Sequence, residues 1–98
     1  MFERTLGRFR SLIRSGHYVL SIHSLEEMAE DDVLTEDVEN VILAGSIVER
    51  QIDRATRERK YVFLGGDLAG DSLGLVAKIG PVGKAKRVRV ASFKESAA

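Results

Sequence analysis

His23 is the residue of this 98-residue chain best suited to acid–base work. An imidazole titrates near neutrality and can carry a proton either way. The spacing places it at the close of the run Tyr18-Val19-Leu20-Ser21-Ile22, just before the pattern Ser24-Leu25-Glu26-Glu27. The alternative is an exposed or cap-bonded histidine with no catalytic part. His17 falls on the same face of the predicted strand, but two histidines without a third ligand nearby make no metal site, and none is expected. Gly80-Pro81-Val82-Gly83-Lys84 has glycines and a lysine but lacks the length and the Ser/Thr of a phosphate loop, so it reads as a hairpin turn.

A second chemistry is collective. Arg54, Arg57, Arg59, Lys60, Lys78, Lys84, Lys86, Arg87 and Arg89 crowd into the C-terminal half. Alternation turns Lys78, Arg87 and Arg89 outward, and a strip of cations across neighbouring strands suits a nucleic-acid backbone. Tyr61 and Phe93 could stack on bases, and Tyr61 could equally be core. The N-terminal half has the opposite sign: residues 1–53 hold five arginines against eleven acids, and residues 54–98 hold ten Lys/Arg against four acids. From Glu26 to Glu49 nine acids run without a base, which repels RNA. That surface, with Glu26, Glu30 and Asp31 at its head, is either a solvated helix face or a dock for a basic protein.

The elements that must position these residues follow from periodicity. Phe2, Leu6, Phe9 and Ile13 form a helical stripe closed by Gly16. A strand at 18–22 follows. Ser24 and Glu27 form a capping box that predicts a helix over 25–31. Thr35, with Glu36 and Asp37 in the first turn, opens another over about 36–43, with Val38, Val41 and Ile42 inward and Gly45 as its stop. Four strands are predicted at 47–52, 60–64, 73–79 and 86–93, joined by turn-forming connectors. The expected fold is α+β, in the order α-β-α-α-β-β-β-β, with N-terminal helices packed on one mainly antiparallel sheet.

At this length one domain is expected over 1–98, with a frayed tail near 95–98. The core of such a chain is modest, which favours a surface groove or an interface over a deep enclosed site. Cysteine is absent, so disulfides, thiolate nucleophiles and cysteine-based zinc sites are excluded. No apolar run approaches membrane-spanning length and no apolar signal core opens the chain. A cytoplasmic protein without membrane or cofactor is expected.

The stretches Tyr18-Val19-Leu20-Ser21-Ile22-His23, Glu27-Met28-Ala29-Glu30-Asp31, Asp37-Val38-Glu39, Ile42-Leu43-Ala44-Gly45, Ile47-Val48-Glu49-Arg50, Arg59-Lys60-Tyr61 and Ala77-Lys78-Ile79-Gly80-Pro81 occur in that order. Together they resemble a family of small bacterial domains of unknown function grouped with the MqsR and RelE toxins and often encoded beside YgiT-type zinc-finger antitoxins. The resemblance implies a compact antiparallel sheet flanked by helices. It also implies metal-independent cleavage of RNA, with an antitoxin as partner. On that reading His23 is the proton carrier, Lys60, Lys78 and Arg89 clamp phosphate, and Tyr61 stacks or donates a proton. The chain has Ala91 where many of these relatives carry a tyrosine. Two other readings stand beside the toxin-like ribonuclease: a non-enzymatic module binding protein or RNA, and a domain that forms a homodimer through an exposed sheet edge.

Overall fold

The computed structural model describes residues 1–94; the expected frayed tail at 95–98 lies outside them. Three helices, α1 (Glu3–Arg14), α2 (Ile22–Glu30) and α3 (Thr35–Ala44), accompany five strands, β1 (Tyr18–Leu20), β2 (Ser46–Ile52), β3 (Arg59–Gly66), β4 (Ser72–Val82) and β5 (Ala85–Lys94). The strands form one sheet in the order β1-β5-β4-β3-β2. Neighbours are antiparallel except β1, which lies parallel to β5 with Tyr18 beside Val88 and Leu20 beside Val90. The α+β expectation and its element order hold.

The α1 stripe makes the first contact with the sheet. Phe9 is wholly buried, and its ring stands edge-to-face with Phe63 and Tyr61, at centroid distances of 4.8 Å and 5.7 Å, a geometry that aromatic quadrupoles favour. Gly16 takes φ +75°, and its N–H and that of His17 return to Ile13 and Leu12 carbonyls, so the helix ends as expected. From α3, Val38, Val41 and Ile42 complete the core against Leu75, Ala77, Val88 and Val90.

The crossing of α3 over β3 is closer than side chains permit. A Cβ on Gly45 would stand 2.4 Å from the Val41 carbonyl oxygen and 2.6 Å from that of Leu64, while Gly65 packs backbone to backbone against Gly45. Arg10 of α1 ties the same corner, its Nε donating to the Ile42 carbonyl (3.1 Å) and its Nη2 to that of Gly45 (2.9 Å). These carbonyls at the end of α3 lack intrahelical donors, and a guanidinium there also suits the helix dipole.

Two local expectations are corrected. The predicted strand at 18–22 stops at Leu20, and α2 begins at Ile22 rather than Leu25. Ser21, not Ser24, is its N-cap: Ser21 Oγ accepts from the Ser24 N–H (3.0 Å) and donates to the Ala91 carbonyl (3.0 Å). Ser24 is wholly buried one turn inside, its hydroxyl returned to the Ser21 carbonyl. The capping-box pattern misleads because Glu27 is drawn elsewhere, its Oε1 accepting from the Phe93 N–H (3.1 Å) on β5. In α3 the cap likewise shifts by one, from Thr35 to Leu34, with Asp37 reaching back to the Leu34 N–H (2.8 Å).

Candidate functional site: a basic sheet face

The helices cover one face of the sheet and leave the other open. Pairing fixes which residues share the open face, since alternate residues of a strand point oppositely. Lys78 on β4 lies opposite Arg89 on β5, and Arg87 stands two residues along the same strand. Lys60, one residue before the Tyr61–Ala77 pair of β3, extends the row. A bulge at Ala91 shifts the later residues of β5, so the row ends there. Beyond it Val62 and Val76, only 5% and 6% exposed, form a small apolar floor outside the main core. Long cationic side chains around such a floor lay their methylene stems over it and keep their heads in water.

The electrostatics of this row are uneven. Lys78 Nζ is held in a short ion pair by Glu58 Oε2. Lys60, Arg87 and Arg89 have no ion-pair partner among the described residues. Lys84 stands exposed at the two-residue turn between β4 and β5, where Gly83 supplies φ +65°. That turn is a hairpin, as its composition suggested. At the end of the row a concavity of about 240 Å³ is lined by Glu58, Arg59, Lys78, Pro81 and Arg89 among others. A carboxylate, an ammonium and two guanidinium groups thus share one small depression.

The expected catalytic trio is distributed over separate surfaces. His23 lies in the first turn of α2, not on a strand face shared with His17; its Nε2 sits 3.2 Å from Glu27 Oε1, and its side chain is two-thirds exposed. Its helix packs beside β5, and β4 separates β5 from β3, which carries the other two. Lys60 projects from the open face. Tyr61 points to the helical face, where its ring packs between Phe2 and Phe9. His17 bonds Ser15 Oγ through Nδ1 (2.7 Å). Phe93, offered as a stacking surface, lies on the helix side and packs against the core.

The acidic surface is partly committed to the fold. Glu27 holds β5, Asp37 accepts from Leu34 and Leu68 N–H groups (both 2.8 Å), and Glu39 accepts from the Tyr18 hydroxyl (3.1 Å). Burial and the Glu39 carboxylate push the Tyr18 phenol above its ordinary pKa. Glu26, Glu30 and Asp31 remain exposed on and after α2. Sequence reasoning missed Glu58 and Arg50, because neither belongs to an alternating pattern: one lies in a loop and the other follows a bulge at Val48.

Among the described residues no helix is long and apolar enough to cross a membrane. Compared with known proteins, residues 20–86 match the model of a family described as a domain of unknown function, DUF4258. No curated protein and no solved structure matches the chain.

Proposed function

Because the chain belongs to the DUF4258 family, whose description names no activity, we propose a function from the geometry: the protein binds RNA by its backbone across the open sheet face. The observation that carries this reading is the row of Lys60, Lys78, Arg89 and Arg87 on one face, three of the four without an ion-pair partner among the described residues. Phosphates spaced along a strand neutralise such a row and release counterions. Lys84 at the hairpin tip lengthens the track.

A second reading deepens the first: the protein is a toxin-like, metal-independent endoribonuclease restrained by an antitoxin. What favours it is the depression at the end of the row, where Glu58 stands beside Lys78, Arg59 and Arg89. Cleavage by the ribose 2′-hydroxyl needs a base for that proton, cations for the developing phosphorane charge and an acid for the leaving oxygen. His23 serves this reading only if the RNA reaches from the open face round to α2.

Binding and cleavage separate experimentally. RNA affinity measured from low to moderate salt should fall steeply. Each phosphate contact removed by Arg87→Ala or Arg89→Ala should reduce the slope by about 0.7. Unrelated single strands should weaken alike, since phosphate contacts carry no direct sequence information. If cleavage occurs, His23→Ala or Glu58→Gln should lower turnover with binding retained. Salt-independent or absent RNA binding would overturn both readings.

A further inference from the structure

The helical side of the sheet holds a second cleft, between the start of α1 and the β2–β3 hairpin. It encloses about 670 Å³, a size usual for small-ligand sites. Met1, Phe2 and Val48 supply an apolar wall, and Thr5, Arg50, Arg59 and Tyr61 a polar one. Arg50 and Tyr61 are paired across β2 and β3, so their side chains leave the sheet together on this face.

Three groups in the cleft await an anion. Tyr61 is nine-tenths buried, yet its hydroxyl has no hydrogen-bond partner among the described residues. No buried side-chain oxygen is left unpaired among them, so this hydroxyl meets solvent through the cleft that Tyr61 lines. Neither the Arg50 nor the Arg59 guanidinium makes a hydrogen bond or ion pair with a described residue. The start of α1 is the third: Phe2 is its N-cap and offers no side-chain acceptor, so the Arg4 and Thr5 amides have no intrahelical partner, while the Glu3 N–H is met by its own carboxylate. One carboxylate, Glu49, also lines the cleft and accepts from Gln51 Nε2 (2.8 Å). The N-terminal ammonium is neutralised by Glu3.

We propose that this cleft is a nucleotide site, in which Arg50, Arg59 and the Tyr61 hydroxyl hold a phosphate while the base lies against Met1, Phe2 and Val48. Two guanidinium groups can grip the phosphate oxygens in bidentate fashion, and the α1 amides and dipole favour the same charge. The apolar wall fits a planar ring better than bare solvent. Arg59 lines both this cleft and the depression on the open face, so a strand bound there could turn its terminal nucleotide over the hairpin and into the cleft. A free mononucleotide presents the same chemistry.

The test is a titration of ¹⁵N-labelled protein with adenosine 5′-monophosphate, followed by NMR. The amides of Thr5, Arg50 and Tyr61 should move, and adenosine or inorganic phosphate should bind about tenfold more weakly or worse. Arg50→Gln should weaken the nucleotide about tenfold, and Tyr61→Phe, which keeps the ring packing, severalfold. Arg87→Ala with Arg89→Ala should leave it unchanged. That last variant separates this site from the open face: nucleotide binding survives there even if RNA binding to the sheet fails. A 5′-phosphorylated single-stranded RNA that moves the same amides at lower concentration assigns the nucleotide to RNA; one that moves only the open face assigns it to a free mononucleotide. Unmoved cleft amides, equal binding of inorganic phosphate, or loss of binding on removing Arg87 and Arg89 would overturn the proposal.

Discussion

Ser21 and Asp37 each hold two parts of the chain with one side chain. Ser21 caps α2 and tethers β5 at Ala91, so Ser21→Ala should cost about 1–2 kcal/mol of stability. Ser24→Ala removes only a local bond to the Ser21 carbonyl and should cost less. Urea denaturation of the two variants checks the order. The Asp37 carboxyl is held below its ordinary pKa, first by the Leu68 N–H and second by the Leu34 N–H. A depressed carboxyl contributes stability that is complete above its unfolded-state pKa of about 4 and is lost as pH falls through the folded value. The stability gap between the native chain and Asp37→Asn should therefore be widest near neutrality and close on acidification, as read by denaturation midpoints across that range. Asp37 was legible in the sequence as a first-turn acid. Its bond from the Leu68 N–H, in a loop 31 residues away, was not, because no local pattern encodes a tertiary donor. The Ser24 capping box failed for the same reason: Glu27 had a distant partner in Phe93.

At the scale of elements, period and turn chemistry carried most of the information. The α1 stripe and its Gly16 stop, the inward face of α3, the outward Lys78, Arg87 and Arg89 of β4 and β5, and the three hairpin connectors all lie where hydrophobic spacing put them. Boundaries were harder wherever two elements compete for one stretch. The three-residue β1 ends when Ser21 turns its N–H to the Val90 carbonyl and begins a helix, a choice decided by β5 rather than by the residues themselves. Gly45 read as a helix stop, but its deeper reason is the approach of α3 to β3. Gly45→Ala must push apart two backbones, since its Cβ would meet carbonyl oxygens and not a flexible side-chain end. The expected cost is about 3 kcal/mol, visible as a lowered urea midpoint, whereas Gly7→Ala, with open space around it, should be neutral or slightly stabilising.

For the molecule as a whole, the charge division in the sequence becomes a division of surfaces. Cations collect on the open sheet face and acids on α2 and α3. A basic protein partner, such as an antitoxin, would meet Glu26, Glu30 and Asp31, which are not spent on internal bonds. Reversing these three charges should slow association and flatten its salt dependence, measured by stopped-flow or surface binding, with RNA affinity unchanged. A partner that docks on the sheet instead would show no such change. What the sequence could not reveal is which cations stay unpaired: Lys78 and Arg89 look alike in an alternating strand, yet Glu58 occupies the first.

The pairing of β1 with β5 has a consequence for how the chain folds as it is made. Ser21 and Ala91, bonded across this seam, are 70 residues apart, and Val88 cannot meet Tyr18 until the last of the eight elements exists. The hairpins of β2 to β4 can close locally, but β1 must wait, with Tyr18 and Leu20 uncovered, for β5 to emerge. Such non-local closure raises contact order and slows the final step. While it waits, the unfinished chain offers unpaired edges to its neighbours. Synthesis stalled before residue 88 would therefore leave a product open to aggregation, and any protein that shields that seam would act as a folding aid before it acted as anything else.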